Sequence, residues 1–184
     1  MMPLMGVEVG GYALLTTTEL INEFQRNPRL LKTFSWVTIA PKADNLLIGA
    51  LKVSPGKKRE IEQIKATLRP YADMFVANSR ARNVHLTRLS KDDLDLLATA
   101  VVFRAAVATD ERALQLIIRD LMEDAEEYPI EHFSSMDVLG LLEKNALLNR
   151  EECYTTVEAW IRLGERLPMT WRTDYERIFG KAFD

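Results

Sequence analysis

Apolar positions along the chain change their period several times. Gly10-Gly11-Tyr12-Ala13-Leu14-Leu15 reads as a short buried strand, and Thr16-Thr17-Thr18 brings N-cap hydroxyls to the front of Glu19-Leu20-Ile21-Asn22-Glu23-Phe24, a helical segment. Pro28 follows soon after, and residues 30–37 lead into an irregular stretch broken by Pro41 and Asp44. Leu46 to Val53 is apolar enough for a second buried strand, stopped by the turn signal Ser54-Pro55-Gly56. Ile61, Ile64, Lys65 and Leu68 then fall at helical spacing, predicting a helix from about Lys57 to Arg69 that Pro70 closes.

The polar run Asn78 to Asn83 reads as a loop. Beyond it, apolar residues at 94, 97, 98, 101 and 102 trace one helix face, and Ser90 with Asp93 three residues on supplies a capping box. Ala105 to Ala108 is a short strand, and Thr109-Asp110-Glu111-Arg112 opens a helix through Leu121. Strands alternating with acid-capped helices predict an α/β fold with a parallel sheet over residues 1–122. After an acidic loop from Glu123 to Glu131 the pattern is wholly helical. Segments 136–142, 150–166 and 170–179 predict a C-terminal helical extension, residues 123–184, packed on that domain.

Composition narrows the chemistry. The 184 residues are 47% hydrophobic and carry 24 Lys+Arg against 27 Asp+Glu, a net charge of −3, so a polyanionic partner must be met locally or through metal ions. No apolar run approaches the roughly 20 residues of a membrane span, and the first residues lack a signal-peptide pattern; the expected compartment is the cytoplasm. One cysteine, Cys153, and two histidines, His85 and His132, argue against a disulfide framework and a Cys/His zinc site. Cys153 sits in an ordinary helix start rather than beside a histidine base.

Carboxylates are therefore the chemical resource. Asp93, Asp110 and Glu111 each begin a helix after a loop or strand. One by one they complement a helix dipole; gathered at one end of a parallel sheet they would repel unless a divalent cation neutralised them, and Mg²⁺ or Mn²⁺ favours oxygen-only sites. Glu19 and Glu23, four apart, share one helix face, with Glu23 at the border of the stripe Leu20-Ile21-Phe24. Basic clusters at Lys57-Lys58-Arg59 and around Arg80, Arg82 and Arg88 are candidate RNA contacts.

Two segments carry a resemblance. Leu89-Ser90-Lys91-Asp92-Asp93-Leu94-Asp95-Leu96-Leu97-Ala98-Thr99-Ala100, followed by Val107-Ala108-Thr109-Asp110-Glu111-Arg112-Ala113-Leu114, resembles the second half of PIN domains, the metal-dependent nuclease fold that includes VapC-type toxins and ribosomal RNA-processing endonucleases. Tyr12 to Phe24 is similar to that family's second strand and following helix, with Glu23 at the position of its metal-site acid.

The resemblance spans roughly residues 10–122. It implies a PIN-like parallel sheet flanked by helices, and Mg²⁺ or Mn²⁺ held by Glu23, Asp93 and Asp110 with Glu111 assisting. The same three acids would be catalytic in phosphodiester hydrolysis of RNA. It further implies an antitoxin or other protein partner and a homodimer. The family's opening strand ends in Asp, and residues 1–11 contain none. Either the chain opens at an internal Met, or the fold is a degenerate one that binds RNA or protein without catalysis.

Overall fold

The computed structural model describes residues 6, 8–28, 50–123, 130–165 and 167–183. Glycine turns the chain first: Gly10 and Gly11, both at positive φ, join β1 (Glu8–Val9) to β2 (Tyr12–Ala13) as an antiparallel hairpin, where one strand was expected. Thr17 then caps α1 (Thr18–Arg26), its hydroxyl accepting from the Leu20 amide, as the threonine run predicts. Residues 29–49, which include Pro41, Asp44 and the first half of the expected strand 46–53, lie outside the described residues. Ala50 forms an isolated parallel bridge with Thr16, closed by the Leu51 amide on the Thr16 carbonyl at 2.8 Å.

The longest helix corrects the expected stop at Pro70. α2 (Pro55–Ala81) starts two residues before the predicted Lys57, with Ser54 as N-cap and Pro55 at the first helical position, and it continues through Pro70 to absorb most of the supposed loop at 78–83. A mid-helix proline removes a hydrogen bond to the carbonyl four residues earlier and costs about 3 kcal/mol. Here that carbonyl belongs to Ala66, which like Pro70 is exposed, so water can satisfy it. The opposite face buries Ile61, Leu68, Ala72 and Val76, and the Lys65–Asp95 ion pair and the Tyr71–Asp120 hydrogen bond tie the helix on either side of the proline to two others. Packing outweighs local propensity.

Those others are α3 (Lys91–Phe103) and α4 (Arg112–Glu123), on either side of β3 (Val107–Ala108). α3 begins at the predicted capping box, Ser90 and Asp93 exchanging hydrogen bonds, and ends on Arg104 in the left-handed region. Its buried Leu94, Leu97, Ala98 and Val102 meet Leu114, Ile117 and Ile118 of α4 and the face of α2 in one core cluster that also takes Val107 and Ile130. β4 (His132–Phe133), a strand not expected after the acidic loop at 123–131, pairs with β3 in parallel register, Val107 opposite His132 and Ala108 opposite Phe133.

The last three helices are α5 (Ser135–Lys144), α6 (Arg150–Leu163) and α7 (Trp171–Phe179). Their own cluster centres on Met136, Leu139, Cys153, Val157, Tyr175 and Phe179. Phe183 closes it, stacking on Tyr154 at 4.5 Å between centroids and meeting Trp171 and Tyr175 edge-on. Gly164 in the left-handed conformation ends α6 a few residues before the predicted limit. The hairpin lies against this region: a Cβ on Gly10 would come within 2.8 Å of Leu141, and the Tyr12 ring packs edge-on against Phe133.

The chain is thus mostly helical with small β pairs. Among the described residues, no helix is long and apolar enough to cross a membrane.

Candidate functional site

Parallel pairing sets the geometry. The Val107 amide donates to the Glu131 carbonyl at 2.8 Å and the Thr109 amide to the Phe133 carbonyl at 3.0 Å, so β3 and β4 end side by side and α4 and α5 both start from that edge. In open parallel sheets this edge is where ligands bind. Asp110 leaves β3 there, and Ser134-Ser135 leaves β4.

Asp110 is half-buried, and its Oδ1 accepts the Ser135 backbone N–H at 2.9 Å, across 25 residues of chain. A carboxylate is thereby placed at the N-terminus of α5, where the helix dipole favours negative charge. Its other oxygen, Oδ2, has no hydrogen-bond partner among the described residues. The preceding Thr109 carbonyl is held by the Gln115 side-chain amide at 2.8 Å and lies 3.2 Å from His132 Nε2.

Glu111, next in the chain, is exposed. Its backbone N–H donates to the Thr109 hydroxyl at 3.1 Å, and its Oε1 accepts from the Thr87 hydroxyl at 2.9 Å. The α2–α3 loop is thus latched to the same edge. Asp93 sits in the first turn of α3, where Oδ2 accepts both the Ser90 amide at 3.0 Å and the Ser90 hydroxyl at 2.6 Å. The cap leaves Oδ1 without a partner among the described residues. Glu23 and Glu19 lie on α1, and their side chains are outside what is described.

Asp110 and Glu111 are therefore brought together at one strand end, whereas Asp93 is placed as a helix cap. Among the described residues, no three Asp, Glu, His or Cys side chains gather into a group able to hold a metal ion.

One further atom belongs to this edge. The Ser135 hydroxyl oxygen is closed off from solvent and has no hydrogen-bond partner, although the neighbouring Ser134 hydroxyl donates to Asp137 Oδ2 at 2.6 Å. A buried hydroxyl left unpaired is uncommon. The oxygens that these bonds leave free on Asp110 and Glu111 are hard donors, of the kind Mg²⁺ or Mn²⁺ takes.

Sequence reasoning overlooked both Ser135 and β4. The available signal was Ser134-x-x-Asp137, the spacing already recognised in Ser90-x-x-Asp93; it forms a full capping box at the head of α5. Burial by itself would raise the Asp137 pKa, but hydrogen bonds from Ser134 and the Arg177 guanidinium hold it below the ordinary carboxylate range.

The basic clusters are partly committed. Arg88 makes a two-pronged contact with Asp73 at 2.6 and 2.7 Å, which holds the Asp73 carboxyl below its usual value. Arg80 forks onto the Leu86 carbonyl, and Lys57 pairs with Glu60. Arg82 stays exposed on the α2–α3 loop. Comparison with protein-family models, with curated proteins and with solved structures finds no match to the chain.

Proposed function

We propose that the chain is a PIN-like, Mg²⁺- or Mn²⁺-dependent ribonuclease that works from the carboxyl ends of β3 and β4. The observation that supports this most is Asp110: it leaves a parallel strand pair at the edge where two helices start, is oriented through one oxygen, and keeps the other open. In this reading Asp110 and Glu111, with Glu23 and Asp93, hold the cation. A bound cation would lower the pKa of the attacking water and stabilise the leaving oxygen. The Ser135 amide aims Asp110, the Thr87 hydroxyl aims Glu111, and exposed cations such as Arg82 offer contacts to the RNA backbone.

The test is Mn²⁺-dependent cleavage of a single-stranded RNA by the full chain beside its Asp110→Asn and Asp93→Asn variants. Both substitutions should lower the rate at least about 100-fold, because replacing a carboxylate ligand with an amide removes charge from the cation site. Cleavage that persists unchanged in Asp110→Asn, or in excess chelator, would sink the proposal.

A second reading has its own observation. The three described acids each hold a structural hydrogen bond and do not converge as a group, as expected of a PIN-like module that binds RNA or a protein without cutting. It requires RNA retention by the full chain in chelator, with no cleavage when Mn²⁺ is added.

A further inference from the structure

The outer face of α2 lacks what an exposed helix ordinarily carries. Between residues 63 and 78 its charged side chains are drawn to other elements: Lys65 to Asp95, Arg69 to the Leu89 carbonyl and Asp73 to Arg88. Left to solvent are Gln63, Ala66, Pro70, Met74, Ala77 and Ala81, spaced by three or four residues and so aligned in one stripe, with Met74 56% exposed. The solvent face of a helix is normally polar or charged, and 28% of this chain is charged, yet none of these six residues is.

Charge returns at the two ends of the stripe, with opposite sign on matching flanks. Glu62 and Glu60 lie on either side of its N-terminal end. Arg80 follows Glu62 by five full helical turns, so it lies on the same flank at the other end, and Arg82 lies on the flank of Glu60. All four are exposed.

We propose that a second copy of the chain docks on this stripe, α2 against α2 and antiparallel about a two-fold axis near Tyr71. Glu62 then faces Arg80 of the second copy and Glu60 faces its Arg82, each pair occurring twice by symmetry. A parallel pair in register would set like charges against each other. Arg59, on the line of the stripe, meets the C-terminal end of the second α2, where the helix dipole favours a cation. Small residues let the two axes come close, and Met74 of each copy reaches the Pro70 turn of the other. The stripe runs for about 27 Å, so a single helix pair of this length is a small interface and the dimer a weak one.

The test is sedimentation equilibrium of the full chain from about 5 to 500 µM, the range in which a small interface dissociates. The average mass should climb from that of one chain toward that of two. Met74→Glu should stay at the mass of one chain throughout, with an unchanged urea midpoint at low concentration, because the residue is exposed in the single chain. Glu60→Arg and Arg82→Glu each create two like-charge pairs and should weaken association by about fivefold or more. Their combination restores opposite charges and should associate within about threefold of the unmodified chain.

A single-chain mass at the highest concentration, or a dimer that Met74→Glu leaves intact, overturns the proposal; the first result assigns the stripe to a different protein and the second moves the dimer to another face. A double charge reversal no better than the single ones overturns the antiparallel arrangement.

Discussion

Replacing Gly140 with alanine sets two opposed effects against each other. Gly140 lies in the middle of α5, and an exposed mid-helix glycine normally gains about 1 kcal/mol on conversion to alanine through backbone entropy. Here the added Cβ would stand 2.5 Å from Ile178 Cγ2 and 3.7 Å from Ile178 Cβ on α7. The nearer atom is a branch methyl next to the backbone, on a residue type whose χ1 is nearly fixed inside a helix, so it cannot swing aside. Relief then requires α5 and α7 to separate, and overpacking of this kind costs about 1–3 kcal/mol.

With so short an approach, the upper part of that range applies, and Gly140→Ala should be destabilised by about 1–2 kcal/mol net of propensity. Urea unfolding followed by tryptophan fluorescence measures it, because Trp160 and Trp171 pack on the cluster these helices share. The midpoint should fall with an unchanged slope. Adding Ile178→Ala removes the clashing methyl, so the double variant should lose about 1 kcal/mol less than the sum of the single losses. A Gly140→Ala protein that is more stable than the parent, or strictly additive losses, would refute the steric account.

Other residues carry further expectations. Asp137→Asn loses the carboxylate that caps α5 and pairs with Arg177 at 2.9 Å, and should cost about 1 kcal/mol near neutral pH. Because the folded-state pKa of Asp137 is depressed, its contribution is complete above the unfolded value of about 4 and is lost as pH falls through the folded one. Urea midpoints of parent and variant should therefore converge in acid; a gap that widens there would contradict the assignment. Cys153 is fully buried, and desolvation, helped by Glu143 and Glu152, pushes its thiol up to about 11, so it should resist a disulfide reagent at pH 8 until urea unfolds the chain. Labelling of the native protein within minutes would overturn that.

What the sequence announced was local chemistry, and what it concealed depended on distant partners. Thr17 and Ser90 cap helices where their spacing says they should, because a cap needs only its own next three residues. Pro70 misled because its effect depends on which face of α2 is wet, which is decided by α3 and α4 rather than by neighbours in the chain. Strands of two residues are too short to show a period, so β4 could not be told from the acidic stretch before it. Asp110 and Glu111 were legible as candidates from their place after a short strand. That Ser135 would face Asp110 was not, since the contact exists only once β3 and β4 pair.

The same acids therefore invite two explanations, and the geometry shows that these do not compete for the same atoms. A carboxylate has two oxygens. In Asp93 the cap occupies Oδ2, in Asp110 the Ser135 amide occupies Oδ1, and in Glu111 the Thr87 hydroxyl occupies Oε1, so each structural bond leaves the opposite oxygen available. A carboxylate already held on one side loses little side-chain freedom when it engages a ligand on the other, which lowers the entropic cost of binding. Such structural bonds are then the means by which these acids are pre-oriented, and finding an acid in a cap, as with Asp93, is no argument against its serving a cation. The discriminating property is convergence. Asp110 and Glu111 share a strand end, and Mn²⁺ affinity compared across Asp93→Asn, Asp110→Asn and Glu111→Gln separates the cases: equal losses mean that the Asp93 cap points into the same site, whereas a loss confined to 110 and 111 leaves Asp93 purely a cap.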